Sequence, residues 1–346
     1  MYDCYGRLSP LKMFSKLFMK SSQLLVHTNF HRNRTGVTRS IENVFPFFSE
    51  RHEAFIWGYG IKGPKISTRK LLKLVFRKKY FVLHCHRNNE VIAALLLRRL
   101  GGNFKLLFTR HAEAAPSGIT KYLLEKSDVA VALTKRMLKT LPCPATVVGH
   151  GVNQEVFNTK VNVNNLGFRQ KKIVLCAGRV REAKGQHVLL EVLAPILKNH
   201  PDWALAIVGK VDNQAFLGNL KKVVEENSVK EQVYFIPETS DIVSFYRGSN
   251  TVVVPSFTEG FSLVCAEAMS CGCNVIATRD VGIHSELIQD GETGYLFDVN
   301  NKTELKQLLT KLLTNELPHL GEKAQKEVAK NWSSKVEAQN LMKLYS

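Results

Sequence analysis

The chain has 346 residues, 45% of them hydrophobic and 23% charged, which suits about two globular domains of ordinary composition. No apolar run reaches the roughly 18 residues of a membrane-spanning helix, and seven scattered cysteines (Cys4, Cys85, Cys143, Cys176, Cys265, Cys271, Cys273) exclude a disulfide framework and fit a reducing compartment. The net charge of +18 is one-sided: residues 1–150 hold 26 Lys and Arg against 8 Asp and Glu, residues 151–346 hold 22 of each, so the first half asks for a polyanionic surface such as nucleic acid, anionic lipid or an acidic acceptor.

The first 20 or so residues read as a leader ahead of the first strand. Lys12, Lys16 and Lys20 interrupt any signal-peptide core, and Leu11, Phe14, Leu17 and Phe18 would share one face of a short basic helix suited to a membrane surface. Gln23–Val26 predicts a strand, followed by a polar stretch and Gly36. Tyr80–Leu83 predicts a strand ending in His84-Cys85-His86, and Glu90–Leu100 a helix stopped by two glycines. Strands follow at Lys105–Thr109 and Val129–Leu133, a short helix at Lys135–Leu141, and a strand at Ala145–Val148 ending in Gly149-His150-Gly151. After a polar linker the pattern restarts. Strands are predicted at Ile173–Ala177, Trp203–Val208, Val233–Ile236, Thr251–Val254 and Val275–Ala277, with helices at Gly185–Leu197, Asn213–Asn227 and Phe261–Met269. Short apolar strands alternating with helices predict α/β architecture with parallel sheets. Two such series make two Rossmann-like domains facing a cleft: residues 1–155 and 171–330, joined by linker 156–170. A final helix in 331–346 packs back on the first domain.

Three segments of the second half carry chemistry. In Ala177-Gly178-Arg179-Val180-Arg181-Glu182-Ala183-Lys184-Gly185 a strand turns at glycine into a helix start, with Arg179 and Lys184 five apart, a way to hold a diphosphate. In 255–268, Glu259 lies in a loop and Glu267 in the following helix, and Gly260, Phe261 and Ser262 offer backbone N–H groups at the helix start. Apolar neighbours bury Glu267, which therefore needs a partner, and ribose hydroxyls would serve. The third segment runs from Gly282 to Phe297, with a glycine-rich turn before a strand. Cys271-Gly-Cys273 and His84-Cys85-His86 each lack further ligands at metal spacing, and no Asp-x-Asp occurs.

These three segments together resemble the GT-B glycosyltransferases of family 4. Glu259 and Glu267 match the Glu-x7-Glu signature, Gly178-Arg179 and Lys184-Gly185 the basic loop, and Glu286, Leu287, Gly291 and Thr293–Leu296 the closing segment. The resemblance implies that Arg179 and Lys184 neutralise the donor diphosphate in place of a metal, so that no cofactor is needed. It implies that Glu259 binds donor-sugar hydroxyls, Glu267 the ribose, and the N–H groups of Phe261, Ser262 and Leu263 the phosphates. Val233–Glu238, Ile236 included, would lie near the base. Gly36 and Val37 resemble the glycine loop over the phosphates, and His111 the histidine near donor sugar and acceptor; His84 and His86 would line the cleft. His150-Gly151-Val152-Asn153 resembles a structural turn of the family.

The implied enzyme is a retaining, metal-independent hexosyltransferase, cytoplasmic and peripheral on the inner face of the membrane through its basic first domain. Its partners are a nucleotide-sugar donor and an anionic lipid-linked acceptor. Asn29–Arg39, Arg87–Glu90 and Thr109–Gly118 resemble mannosyltransferases of lipopolysaccharide core synthesis, which implies GDP-mannose. A UDP-glucose or UDP-N-acetylglucosamine donor is the alternative. A non-catalytic polyanion-binding or lectin-like protein stands as the rival class; nucleic acid is not an expected partner, since no binding module accompanies the charge.

Overall fold

Strand segments apolar on both faces can be covered only by helices on both sides of a sheet, and two such sheets form here. The computed structural model describes residues 23–32, 35–158 and 166–346; the leader with Leu11, Phe14, Leu17, Phe18 and Cys4, and residues 159–165 of the linker, lie outside them. The first sheet contains β1 (Leu24–Asn29), β2 (Glu53–Gly58), β3 (Phe81–Cys85), β4 (Phe104–Arg110), β5 (Val129–Ala132) and β6 (Ala145–Val147). The second contains β7 (Lys172–Ala177), β8 (Trp203–Val208), β9 (Val233–Ile236), β10 (Thr251–Val254), β11 (Asn274–Thr278) and β12 (Tyr295–Phe297). All pairings are parallel, in the orders β2-β1-β3-β4-β5-β6 and β12-β11-β10-β7-β8-β9. The order reverses between β1 and β3 and between β7 and β10, and in such sheets ligands bind beyond the carboxyl ends of the strands at that reversal.

Several elements escape the pattern reading. The helix Gly36–Ser49 follows β1, where a polar stretch is expected to continue as loop. Its start is set by a capping box in which the Thr35 side chain takes the Thr38 N–H and the Thr38 hydroxyl takes the Thr35 N–H. Its buried apolar face, Ile41, Val44, Phe45 and Phe48, has helical spacing, but the helix opens on polar residues and carries Pro46 on its exposed side, features that read locally as loop. β2 and the helices Thr68–Phe76 and Gly118–Glu125 are short and half polar, and they too go unpredicted. The predicted Lys135–Leu141 helix shrinks to one 3₁₀ turn, Arg136–Lys139.

The last 30 residues join the two halves. The helix Gly321–Asn331 packs on the helix Leu263–Ser270 of the second sheet's layer. The chain then crosses over, with Val152 N–H donating to Trp332 C=O and Ser334 N–H to Val152 C=O. The helix Ser334–Tyr345 packs on Gly36–Ser49, burying Ala338, Leu341 and Tyr345 with Leu25, Ile41, Phe45 and Phe48. A shared cluster joins Leu133, Val152 and Phe157 to Phe261, Cys265 and Met269. Among the described residues, no helix is long and apolar enough to cross a membrane, and the cysteines are free thiols.

Candidate active site

The carboxyl ends of both sheets enclose a cavity of about 390 Å³. Strand ends supply most of its wall: Gly36 and Val37 after β1, His111 after β4, Gly178 after β7, Gly209 and Lys210 after β8, Glu238 after β9 and Glu259 after β10. Five basic residues (Arg39, Arg179, Arg181, Lys184, Lys210) face it against three acidic ones (Glu238, Glu259, Glu267). Two helices point their N-termini at it, Gly36–Ser49 from one side and Leu263–Ser270 from the other, and the two approach until a Cβ on Gly36 would lie 4.0 Å from Leu263 Cδ1. Unpaired N–H groups and the positive dipole end of each helix favour an anion between them. Gly178 has φ +127°, and nothing lies within 4 Å of a Cβ built there, so the β7 turn leaves open space beside the cations.

The loop before the second helix is held from three sides. Lys184 Nζ donates to Glu259 Oε1 at 2.5 Å, and Ser256 Oγ donates to the same oxygen at 2.8 Å. Ser262 caps the helix in the left-handed region, φ +100°, a strained state for serine. His284, from the third motif, holds it there: Nδ1 donates to Thr278 C=O at 2.8 Å, which leaves Nε2 to accept from Ser262 Oγ at 2.9 Å. Burial lowers the His284 pKa and keeps the ring neutral for this task. Gly260 lies against the first domain, where an added Cβ would sit 1.9 Å from His111 C=O. Gly260→Ala must therefore push the loop off His111. It is expected to lower turnover by about tenfold or more and, because the obstacle is backbone, to cost about 1–3 kcal/mol of stability; steady-state kinetics and a melt on one preparation check this.

Glu267 is buried, as its apolar neighbours predict, but its partners here are protein groups. Arg39 Nη1 donates to Oε1 at 2.9 Å from across the cleft, and Tyr246 Oη donates to Oε2 at 3.2 Å. Burial pushes the carboxyl pKa up while Arg39 opposes the shift. Arg39 is itself pushed up, mainly by the Glu267 charge.

Residues 147–333 match the family described as glycosyl transferases group 1. The chain belongs to this family. It is 30% identical over 338 residues to the lipopolysaccharide core biosynthesis mannosyltransferase LpcC of Rhizobium leguminosarum bv. viciae, covering 93% of this chain and 96% of that one. It is 31% identical over 288 residues to the mannosyltransferase LpsB of Rhizobium meliloti, 79% and 82% covered. Its fold is shared with Anabaena HepE in complex with UDP (TM-score 0.77, 17% identity, 93% and 99% covered) and with sucrose-phosphate synthase from Thermosynechococcus elongatus (TM-score 0.74, 20% identity, 93% and 98% covered). The architecture is thus GT-B, and the protein is a glycosyltransferase.

The transferase brings Gly36, Val37, His111, Gly178, Arg179, Lys184, Glu259, Gly260, Phe261, Ser262, Leu263 and Glu267 to one cavity. Ile236 is not in its wall: its C=O accepts from Gly209 N–H inside the sheet, and the chain reaches the cavity only at Glu238 and Thr239. The helix expected from Phe261 starts at Leu263, leaving Phe261 and Ser262 in the loop. Lys184 is engaged with Glu259, and Arg179 with Asp212 at 3.4 Å. His111 borders the cavity, yet both its nitrogens are taken, Nδ1 by His150 (3.2 Å) and Nε2 by His86 (3.1 Å). His150, read as part of a structural turn, also lines the wall. His84 and His86 are buried behind it, and His27 of β1 joins them as a third imidazole, with ligand-capable nitrogens within 4.8 Å of one another. Arg39, Arg181, Lys210 and Tyr246 escape the sequence reading, whereas Glu238 ends the 233–238 stretch expected near the base. Arg39 had a signal, a basic residue one turn into a helix that starts at Gly36; Tyr246 had none.

Proposed function

We propose that this transferase moves mannose from GDP-mannose, with retention and without a metal ion, to an anionic lipid-linked core sugar at the cytoplasmic face of a membrane. The observation that carries the choice of base is Glu238. It reaches the β9 end of the cavity, and its carboxylate has no protein hydrogen bond among the described residues. A carboxylate accepts from N1–H and the 2-amino group of guanine together, whereas uracil offers one N–H between two carbonyls that a carboxylate repels. The mannosyl part and the core acceptor are supported by the LpcC and LpsB relatives.

The chemistry asked of the site is stabilisation of a leaving diphosphate. Arg179, Arg181, Lys184 and the Leu263 helix start face the place where that charge develops, the role a metal would otherwise fill. Glu259 sits beside Lys184, where it would accept from donor-sugar hydroxyls. The departing phosphate oxygen takes the acceptor proton, so the reaction needs no protein base, consistent with the occupied nitrogens of His111.

The acceptor side is supported by the surface of the first domain. The helices Thr68–Phe76, Asn88–Arg99 and Gly118–Glu125 pack side by side. They and their C-terminal turns expose Phe76 (66%), Leu96 (59%), Ile119 (56%) and Tyr122 (53%) among Lys73, Arg77, Lys78, Arg99 and Lys121. Apolar side chains ringed by cations suit an anionic lipid surface.

Thermal shift without added metal, in EDTA, tests the donor. GDP and GDP-mannose at about 100 times Kd are expected to stabilise the protein by about 2.7 kcal/mol, and Glu238→Gln to lose most of that. Stabilisation by UDP-glucose or UDP-N-acetylglucosamine instead would replace the donor.

A further inference from the structure

A chain of buried side chains runs away from the cavity wall, and one carboxylate sets its direction. Glu337, on the Ser334–Tyr345 helix, is 5% exposed; its Oε2 accepts from Gly151 N–H at 2.6 Å, and its Oε1 lies 2.9 Å from His150 Nδ1 and accepts from Ser40 Oγ at 3.4 Å. His150 Nδ1 faces both this carboxylate and Ser40 Oγ (2.7 Å), and a carboxylate only accepts, so a neutral His150 carries its proton on Nδ1 and leaves Nε2 bare. His111 Nδ1 must then donate to it (3.2 Å), His86 Nδ1 to His111 Nε2 (3.1 Å), and His27 Nδ1 to His86 Nε2 (3.5 Å). Tyr345 Oη donates to His27 Nε2 (3.1 Å) and accepts from His84 Nδ1 (3.0 Å), whose Nε2 accepts from Thr109 Oγ1 (2.7 Å). Along this chain every donor meets an acceptor, and burial holds His27, His84, His86 and His111 in the neutral form. Arg87 and Arg110 are the charged groups acting on this chain from its flanks, and Tyr345 and Glu337 face it from the last helix.

The two rings nearest Glu337 support the donor loop. His111 and His150 stack at 5.1 Å, His150 meets Phe261 edge-on at 5.3 Å, and the His111 C=O abuts Gly260. We infer that Glu337 is a positioning residue for transfer: through His150 it fixes the direction of the histidine chain and so seats His150 and His111 against the Glu259–Phe261 loop. The kinetic part of this inference rests on the function proposed above; the hydrogen positions do not.

Imidazole ¹⁵N NMR of the whole, histidine-labelled protein reads the tautomers directly. The expected wild-type result is Nδ1–H, the less common form of a free histidine, at His27, His84, His86, His111 and His150. In Glu337→Gln one amide atom is a donor, so it cannot accept from both Gly151 N–H and His150 Nδ1. His150 and His111 are expected to move to Nε2–H in a resolvable fraction, and kcat to fall by about tenfold or more while the donor KM stays within about threefold. Tyr345→Phe breaks the chain beyond His27 and is expected to leave the His150 and His111 tautomers and kcat as in wild type. Nε2–H at His150 or His111 in the wild type, which is readable even if the glutamine variant does not fold, would overturn the inference. So would a folded Glu337→Gln enzyme with unchanged kcat. A wild type with Nδ1–H rings that transfers no sugar supports the chain and counts against the proposed function.

Discussion

Lys184→Met is expected to lower turnover by about 10²–10³-fold if the proposed function holds, since the ammonium would then face the leaving diphosphate in a partly desolvated cleft. Lys184 is 16% exposed and Glu259 11%, so their 2.5 Å contact is protected from most solvent screening. The ground state and the transition state use the lysine differently. It neutralises Glu259 in the structure, and in the proposed reaction it would turn its charge to the departing phosphate and leave Glu259 to the sugar hydroxyls. Methionine removes the charge at similar volume and leaves Glu259 with Ser256 as its hydrogen-bond donor, so stability should fall by about 1–3 kcal/mol. The double variant Lys184→Met/Glu259→Gln is expected to regain most of that stability and none of the turnover. Donor consumption and urea midpoints, measured on the same preparations, separate the two effects. Turnover within tenfold of wild type would mean that Lys184 serves only to balance Glu259.

Acidification is expected to unfold the protein at a pH where most carboxylates are still ionised. His27 has its pKa pushed down to about 3 by burial, and His84, His86 and His111 are held well below the usual histidine range, first by burial and then by neighbouring charge: other histidines for His84 and His86, and His150, Arg87 and Arg110 for His111. Each is neutral in the folded protein and free to protonate near pH 6.5 when unfolded. The unfolded state therefore binds more protons below that pH, and stability that is full above about 6.5 is lost as the pH falls. Each ring contributes up to about 1.4 kcal/mol per pH unit, so four approach about 5 kcal/mol per unit, comparable with the total stability of a domain. Denaturant unfolding at steps from pH 8 to 5.5 checks this, the slope giving the protons taken up. A flat profile across pH 7 to 5.5 would mean that the rings protonate without leaving the fold.

The two results bear on one design. The donor side is built from charges that a ligand can redirect, while the wall behind His111 is built from neutral rings whose order depends on staying dry.

Local features of the amino-acid sequence determined most of the donor side. Uninterrupted apolar strands such as Trp203–Val208 announce a covered parallel sheet, and the basic loop at 178–185 and the carboxylates Glu259 and Glu267 each lie within a single strand–loop–helix unit. Residues so close in the chain keep their relation whatever the rest of the fold does, so spacing alone reports their chemistry. The Gly36–Ser49 helix, by contrast, opens on polar residues and contains a proline, and what its apolar face packs against, the C-terminal helix almost 300 residues away, is not written in its own segment. Only the tertiary structure decided that Arg39 would pair with Glu267 across 228 residues, that His27 would join His84 and His86, and that Glu337 would reach His150. These contacts depend on how two sheets and a crossing helix pack, and periodicity carries no information about which buried polar group will meet which.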